Sequence, residues 1–112
     1  MPYYLVTAKL NAHHQAELID KLNAREFLPL RPFGREIMKA LTKARLQEDG
    51  LAIWEEEDYC IPPLNAEKDA VLDRYFSNIR VEDVGKKGNG WHRINALPRL
   101  LPEVEIYIDP DE

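Results

Sequence analysis

The stretch WEEEDYC, residues 54–60, places four consecutive acids beside an aromatic residue and the chain's single cysteine. Carboxyl groups can serve as general acids or bases, and carboxylates with a nearby thiolate can ligate a divalent ion. Side chains alternate between the two faces of a strand, so Glu56 and Asp58 share the face of Trp54, and the other two acids lie opposite. We therefore expect Glu56 or Asp58 to supply any catalytic carboxylate.

Basic residues in segment 35–46 precede these acids, and the dipeptide Asp49-Gly50 between them is a strong turn signal. A two-residue turn there predicts a hairpin whose arms are residues 35–46 and residues 51–59. The first arm also fits one face of a helix, so a helix followed by a single strand is the alternative.

The hairpin register predicts a charged face around Trp54. It places Lys43 opposite Glu56 and Arg45 opposite Trp54, so that either basic residue could hold an anionic group beside a carboxylate. A solvent-exposed arm held in register by these charge pairs is the alternative interpretation. A metal site is a third, which Lys43 and Arg45 disfavour because they compete for the carboxylates.

The sequence LRPFGR adds two arginines, Arg31 and Arg35, in a loop that is stiffened by prolines. Such a loop can cap a cleft or bind a carboxylate through its guanidinium groups. The alternative is that both arginines pair with surface acids, of which the chain has many.

The remaining nucleophiles and metal ligands suggest no cofactor. His13 and Glu17 have a spacing that can bind a metal on a helix, but we expect the two histidines at positions 13 and 14 to be exposed. Cys60 has no evident basic partner to lower its pKa, so we expect an inert thiol. The chain contains no serine nucleophile elbow, phosphate-binding loop or dinucleotide-binding glycine pattern. We expect no metal and no cofactor.

Composition excludes several classes of function. The 112 residues are enough for one domain, 1–112, with a core of about 3–84 and a tail of about 85–112. The net charge of −5 disfavours binding to nucleic acid or to an anionic membrane surface. The start lacks the basic region of a signal peptide, and one cysteine allows no internal disulfide, so we expect a cytoplasmic location.

Periodicity and turn residues predict the elements that position these side chains. We expect a first strand, a helix, the hairpin, an amphipathic second helix that starts after Asn65 and extends to Ile79, and a strand that follows it. A glycine-rich loop and a tail with a last short strand complete the chain. The corresponding residue ranges are 3–10, 12–23, 35–59, 65–79, 80–84, 85–90 and 103–108.

This β-α-β-β-α-β order resembles the ferredoxin-like arrangement, and more narrowly the small proteins that pair two such sheets into a dimeric α+β barrel. The resemblance covers about residues 3–84. It implies an α+β fold and a homodimer, because a small open sheet leaves one face to be covered. Tyr4, Val6, Trp54 and the C-terminal segment are the candidates for that interface or for a pocket.

Three functions remain open from the sequence. The first is a protein that binds a ligand or a partner through its sheet. The second is a cofactor-free enzyme that uses Glu56 or Asp58 with a basic residue on a small polar or aromatic substrate. The third is a structural dimer that bridges other proteins. A carboxylate buried in a cavity would favour the second.

Overall fold

The computed structural model, which describes residues 2–111, is an α+β protein with one open antiparallel sheet in the order β2-β3-β1-β4. The strands are β1 (Tyr3–Leu10), β2 (Arg45–Leu46), β3 (Ala52–Glu57) and β4 (Phe76–Asp83). The helices are α1 (Gln15–Asn23), α2 (Gly34–Lys43), α3 (Asn65–Glu67), α4 (Asp73–Tyr75) and α5 (Asn89–Ile94).

The predicted first strand and first helix are confirmed. Asn11 caps the helical segment, since its side-chain oxygen accepts a hydrogen bond from the backbone N–H of His13 at 3.0 Å. A 3₁₀ turn, Ala12–His14, leads into α1, which buries Leu18 and Leu22 in the hydrophobic core. The amphipathic pattern therefore predicted both the helix and the face of it that is buried.

The predicted hairpin arm over 35–46 is wrong, because most of this segment forms α2. Ile37, Met38 and Leu41 are all buried, which is the helical pattern rather than the alternation of a strand. The segment is also rich in strong helix formers such as alanine, leucine, methionine and lysine. Packing of this face against the sheet decides between two patterns that the sequence alone leaves equal.

The chain does reverse at Asp49-Gly50, but the register differs from the prediction by one residue. Leu46 pairs with Ala52 and Arg45 pairs with Ile53, so five residues connect β2 and β3 instead of two. Gly50 has a φ of 87°, which glycine adopts readily. A shift of one residue turns each side chain to the other face, so the predicted charged face does not form.

The second predicted helix ends earlier than expected. It runs over 65–75 as α3, a π-helical turn at Lys68–Leu72, and α4. Phe76 and Ile79, which fit the helical face, instead belong to β4. The β-branched and aromatic residues that follow Tyr75 favour a strand, and pairing with β1 uses that preference.

Both faces of the sheet carry apolar clusters. The main core lies between the sheet and the helices α1, α2 and 65–75, and includes Val6 and Trp54. A smaller cluster on the opposite face joins Leu5 and Ile53 to Ile94 of α5. Residues of the predicted tail thus contribute to the core.

Val6 and Trp54 are fully buried by the chain's own helices, so neither is available to a second copy, which corrects the predicted interface. Tyr4 of the same face is partly buried against that core. The sheet face that the sequence left open is therefore covered within one chain.

The predicted last strand over 103–108 is wrong. This segment carries turns and irregular backbone, and Val104 is buried in the main core. Arg99 holds the segment in place, because its guanidinium donates to the carbonyl oxygens of Thr42 at 2.7 Å and Val104 at 2.5 Å. Hydrogen bonds to a side chain thus replace the expected strand ladder.

Gly34 provides a test of how α2 is positioned. A Cβ atom at this residue would lie 2.4 Å from the carbonyl oxygen of Phe27 and 2.5 Å from that of Leu28. We expect Gly34→Ala to lower the free energy of unfolding by about 1–3 kcal/mol, because backbone atoms must shift. Urea unfolding measures this, with Glu48→Ala in the exposed turn as the control. Equal stability of the two variants would contradict this packing.

Candidate functional site

The two basic residues predicted to face the acidic strand point elsewhere. The Lys43 ammonium lies 4.7 Å from the ring centroid of Trp91, in α5. Arg45 donates a hydrogen bond of 2.6 Å to the carbonyl oxygen of Leu97. Their predicted partners, Glu56 and Trp54, are not their neighbours, since segment 34–43 is a helix and the register of the hairpin is shifted.

Trp54 and Glu56 form a closed pair in the main core. Both side chains are 0% exposed, and the indole Nε1 donates to Glu56 Oε1 at 2.7 Å. Trp54 also packs against Phe76, with ring centroids 5.0 Å apart. The second oxygen, Glu56 Oε2, has no hydrogen-bond partner in the described part of the chain. Both residues are fully buried, and Glu56 is not among the residues that line the cavities beside β3.

Asp58, the second predicted carboxylate, organises the loop that follows β3. Its Oδ2 accepts hydrogen bonds from the backbone N–H groups of Cys60 at 3.1 Å and Leu64 at 2.6 Å. These bonds hold the chain between β3 and α3. Asp58 is buried, and it lines a cavity.

The two arginines of the proline-rich loop lie on the surface. Arg35 forms ion pairs with Asp109 and Asp111, and this contact raises the pKa of Arg35. Arg31 is exposed. The same loop supplies Pro32 and Phe33 to the cavity that Asp58 lines. Apolar rather than basic side chains of this loop therefore reach the cavity.

Two neighbouring cavities lie beside β3 and share Glu36 and Glu57. The first, the acidic cavity, has a volume of about 140 Å³ and is lined by four acids. These acids are Glu36, Glu57, Asp58 and Glu67. The second, the lysine cavity, has a volume of about 190 Å³ and is lined by Lys39, Lys43 and Lys87 together with Trp91.

Glu36 joins the two cavities and closes the edge of β3 beyond β2. Its Oε1 accepts a hydrogen bond of 2.9 Å from the backbone N–H of Glu57, a group that a neighbouring strand would otherwise satisfy. Its Oε2 lies 3.3 Å from the Lys39 ammonium. Helix α2 thus covers this part of the strand with side chains.

Glu67 is the least solvated acid of the acidic cavity. Its side chain is 1% exposed, and its Oε2 has no hydrogen-bond partner among residues 2–111. Burial, followed by the negative charge of Glu36, raises the pKa of Glu67 from the ordinary 4.5 to about 8. The sequence does hold a signal: Glu67 lies at helical spacing from Leu64 and Val71, in a predicted apolar face.

Glu57 carries a second unpartnered oxygen on the lining of the acidic cavity. The structure gives Glu57 Oε2 no hydrogen-bond partner within the described chain, although this atom is buried. Tyr3 and Tyr59 flank the carboxylate. Burial and a hydrogen bond to Glu57 raise the pKa of Tyr3 to about 12, and the same two causes raise the pKa of Tyr59.

Glu55, on the same face as Glu57, anchors the wall of the lysine cavity. Its buried carboxylate accepts hydrogen bonds from the backbone N–H groups of Gly88 at 2.9 Å and Gly90 at 2.7 Å. These donors belong to the first turn of α5, where N–H groups have no partner within the helix. The carboxylate thereby holds α5 and Trp91 beside β3.

The other candidate ligands for a metal are separated. Glu17 pairs with Arg74 at 2.6 Å and with the Tyr75 hydroxyl, which lowers the pKa of Glu17 to about 2. His13 is exposed, and Cys60 is a free, partly buried thiol at the acidic cavity. No group of three or more histidine, cysteine, aspartate or glutamate side chains could hold a metal ion in the part of the chain described.

The raised pKa of Glu67 predicts a pH-dependent stability. Between pH 4.5 and about 8 the folded state keeps a proton that the unfolded chain has released, so this contribution to stability falls as the pH rises through that window. Between about pH 5 and about pH 8.5, we expect the free energy of unfolding to fall less for Glu67→Gln than for the unmodified protein. The difference between the two falls should be about a few kcal/mol. Urea unfolding at both pH values tests this. Glu103→Gln, an exposed control, should behave like the unmodified protein, and identical pH profiles for all three proteins would refute the prediction.

Within the described residues, no helix is both long and apolar enough to span a membrane. Comparison of the chain with models of protein families, with curated proteins and with solved structures found no match.

Proposed function

We propose that the protein binds a small organic cation, whose charged group enters the acidic cavity. The observation that carries this proposal is a pair of buried carboxyl oxygens, Glu57 Oε2 and Glu67 Oε2, that have no partner among the described residues. Both residues line the same cavity of about 140 Å³. A protonated amine has the donors that these two oxygens lack.

The charge around the cavity favours a cation over an anion or a neutral ligand. Four carboxyl groups line the cavity, and the Lys39 ammonium lies 3.3 Å from one of them, that of Glu36. A buried acceptor without a donor costs about 1–3 kcal/mol, so a ligand that donates to it recovers that free energy. The net charge of −5 also attracts cations to the protein as a whole.

The rest of the lining favours an apolar or aromatic body on the ligand. Pro32, Phe33 and Ala66 lie on the cavity wall, and Tyr59 stands at its edge with 63% of its surface exposed. An apolar wall with a few placed polar groups is typical of small-molecule sites. Aromatic rings near a cation add a favourable electrostatic contact.

Benzylamine is a probe of this chemistry, with benzyl alcohol and benzoate as neutral and anionic controls of similar shape. We expect benzylamine alone to bind in calorimetric titrations, and Glu67→Gln to weaken binding roughly ten- to hundredfold, since a charge-assisted hydrogen bond is lost. The control Glu103→Gln should bind like the unmodified protein. The proposal fails if benzyl alcohol binds as tightly as benzylamine, or if none of the three binds.

Binding should also release protons near neutral pH. A bound ammonium favours the ionised form of Glu67, whose pKa of about 8 leaves it largely protonated in the free protein. Titrations in buffers of different ionisation enthalpy measure this release. The protein that merely bridges other proteins through its acidic surface, the third expectation from the sequence, would show neither binding nor proton release.

We also infer that the sheet is a variant of the ferredoxin-like arrangement. Support comes from the strand order, in which β1 lies between β3 and β4 and each helical connection skips one strand. The chain differs from that arrangement in two ways: it has a second helix, α2, between β1 and β2, and it has a further helix, α5, after β4. This inference concerns the fold and carries no function across.

A second candidate function is general acid–base catalysis by Glu67, in place of the predicted Glu56 and Asp58. The observation that favours it is a carboxyl group in a cavity with a pKa of about 8, close to the pH at which a general base is most effective. Such a group can remove a proton from a ligand carbon or return it without a cofactor.

A generic substrate tests this candidate. In 5-nitro-1,2-benzisoxazole, a base removes the ring C–H proton while the ring N–O bond breaks to give a phenolate nitrile. We expect a rate above that of buffer that rises through about pH 8 and that Glu67→Gln abolishes. Absorbance of the phenolate follows the reaction, and Glu103→Gln is the control. A rate that is unchanged by Glu67→Gln would exclude this role.

A further inference from the structure

The outer edge of β4 is an unused surface of the sheet. β4 is the last strand in the order β2-β3-β1-β4, and within residues 2–111 no segment pairs with its far side. Residues 80–83 are exposed, and Val81 has 41% of its surface in contact with solvent. An exposed strand edge offers a row of N–H and C=O groups to another strand.

The pairing with β1 determines which backbone groups face outward. The N–H of Val84 donates to the carbonyl oxygen of Tyr3 at 2.9 Å, and Leu5 lies opposite Glu82. Hydrogen-bonded pairs alternate along an antiparallel ladder, so Glu82 and Arg80 turn their backbone groups toward β1. The backbone groups of the residues between them, at positions 79, 81 and 83, therefore face the free edge.

We propose that β4 pairs with β4 of a second copy of this chain, antiparallel and around a two-fold axis at Val81. In this register Val81 lies opposite the partner's Val81, and both exchange N–H and C=O groups. Arg80 lies opposite the partner's Glu82, and by symmetry Glu82 lies opposite the partner's Arg80. The edge is therefore complementary to itself in hydrogen bonding and in charge.

The charges on this edge select a second copy over an unrelated strand. Arg80 and Glu82 point to the same face of the sheet, as their opposite residues Thr7 and Leu5 do. Glu82 already pairs with Arg93 of α5 at 2.6 Å. In the proposed dimer Glu82 lies between two guanidinium groups, one from α5 and one from the partner. Because the two copies are related by a two-fold axis, one register places Arg80 opposite Glu82 at both symmetric positions.

The pairing also explains why an apolar side chain, Val81, is exposed on this strand. This side chain shares its face with Val6, and in the dimer two copies of Val81 lie side by side. The two sheets join into one continuous sheet of eight strands. The acidic and lysine cavities lie beside β3, on the other side of β1, so the dimer leaves them open.

Val81→Pro is a selective test, because proline removes an N–H group that faces the free edge and is not used by β1. We expect sedimentation velocity over a concentration series to show a dimer for the unmodified protein and a monomer for Val81→Pro. Far-UV circular dichroism should be the same for both, which separates lost pairing from lost folding. A monomer at every concentration for the unmodified protein, or a dimer that survives Val81→Pro with its fold intact, would overturn the proposal.

Charge exchange provides an independent test that keeps the backbone unchanged. Arg80→Glu or Glu82→Arg alone places like charges opposite each other at both symmetric positions, so each should raise the dimer dissociation constant roughly tenfold. The triple variant Arg80→Glu/Glu82→Arg/Arg93→Glu restores opposite charges both across the two-fold axis and between β4 and α5, and should recover dimerisation. Lys86→Glu, in the exposed loop after β4, is the control and should leave the dimer intact. Failure of the triple variant to recover it, with all variants folded, would refute this register.

Discussion

The loss of water around the acids of β3 is the constraint on which the rest of the structure depends. A buried carboxylate is stable only where donors replace the water that it loses, and each acid of this strand meets that need differently. Glu55 accepts backbone N–H groups from the first turn of α5, and Glu56 accepts the indole N–H of Trp54. The partners of these acids thus decide where α5 lies and how the core closes around Trp54.

Among the described residues, two unpartnered carboxyl oxygens that line a cavity mark the place where this balance is incomplete. Glu57 Oε2 and Glu67 Oε2 belong to different elements but line one cavity. A protein retains such groups at a cost in stability, and the cost is recovered when a ligand supplies the missing donors. The same reasoning connects the raised pKa of Glu67 to binding, because a proton and an organic cation neutralise the same carboxyl group.

Much of the fold could be predicted from local patterns. β1, α1 with its Asn11 cap and the reversal at Asp49-Gly50 each follow from a few neighbouring residues. Segment 35–46 was predicted as a hairpin arm and is mostly helix. Met38, Ala40 and Thr42 fit a strand while Ile37, Met38 and Leu41 fit a helix, and only burial against the sheet chooses. The end of the second helix at Tyr75 depends on pairing with β1, which is likewise a long-range contact.

The candidate site was less predictable than the fold for the same reason. The sequence singled out the acids at 56 and 58 as catalytic candidates, but their donors, Trp54 and the backbone of residues 60 and 64, become neighbours only through tertiary packing or loop closure. Glu67 was visible as an acid in an apolar helical face, a pattern that conflicts with an exposed position. That conflict between local pattern and residue type was the strongest signal available.

The π-helical turn at Lys68–Leu72 has a consequence for how this protein could have changed over time. Such a turn contains one residue more than the α-helical turn that it replaces, and π turns are frequent at functional sites. Because the π turn takes up its extra residue within a single turn, removing one residue there would restore an α-helical turn and leave the residues on both sides facing as before. Glu67, directly before the turn, would keep the position in which it is buried. This segment can therefore gain or lose a single codon without displacing the buried acid.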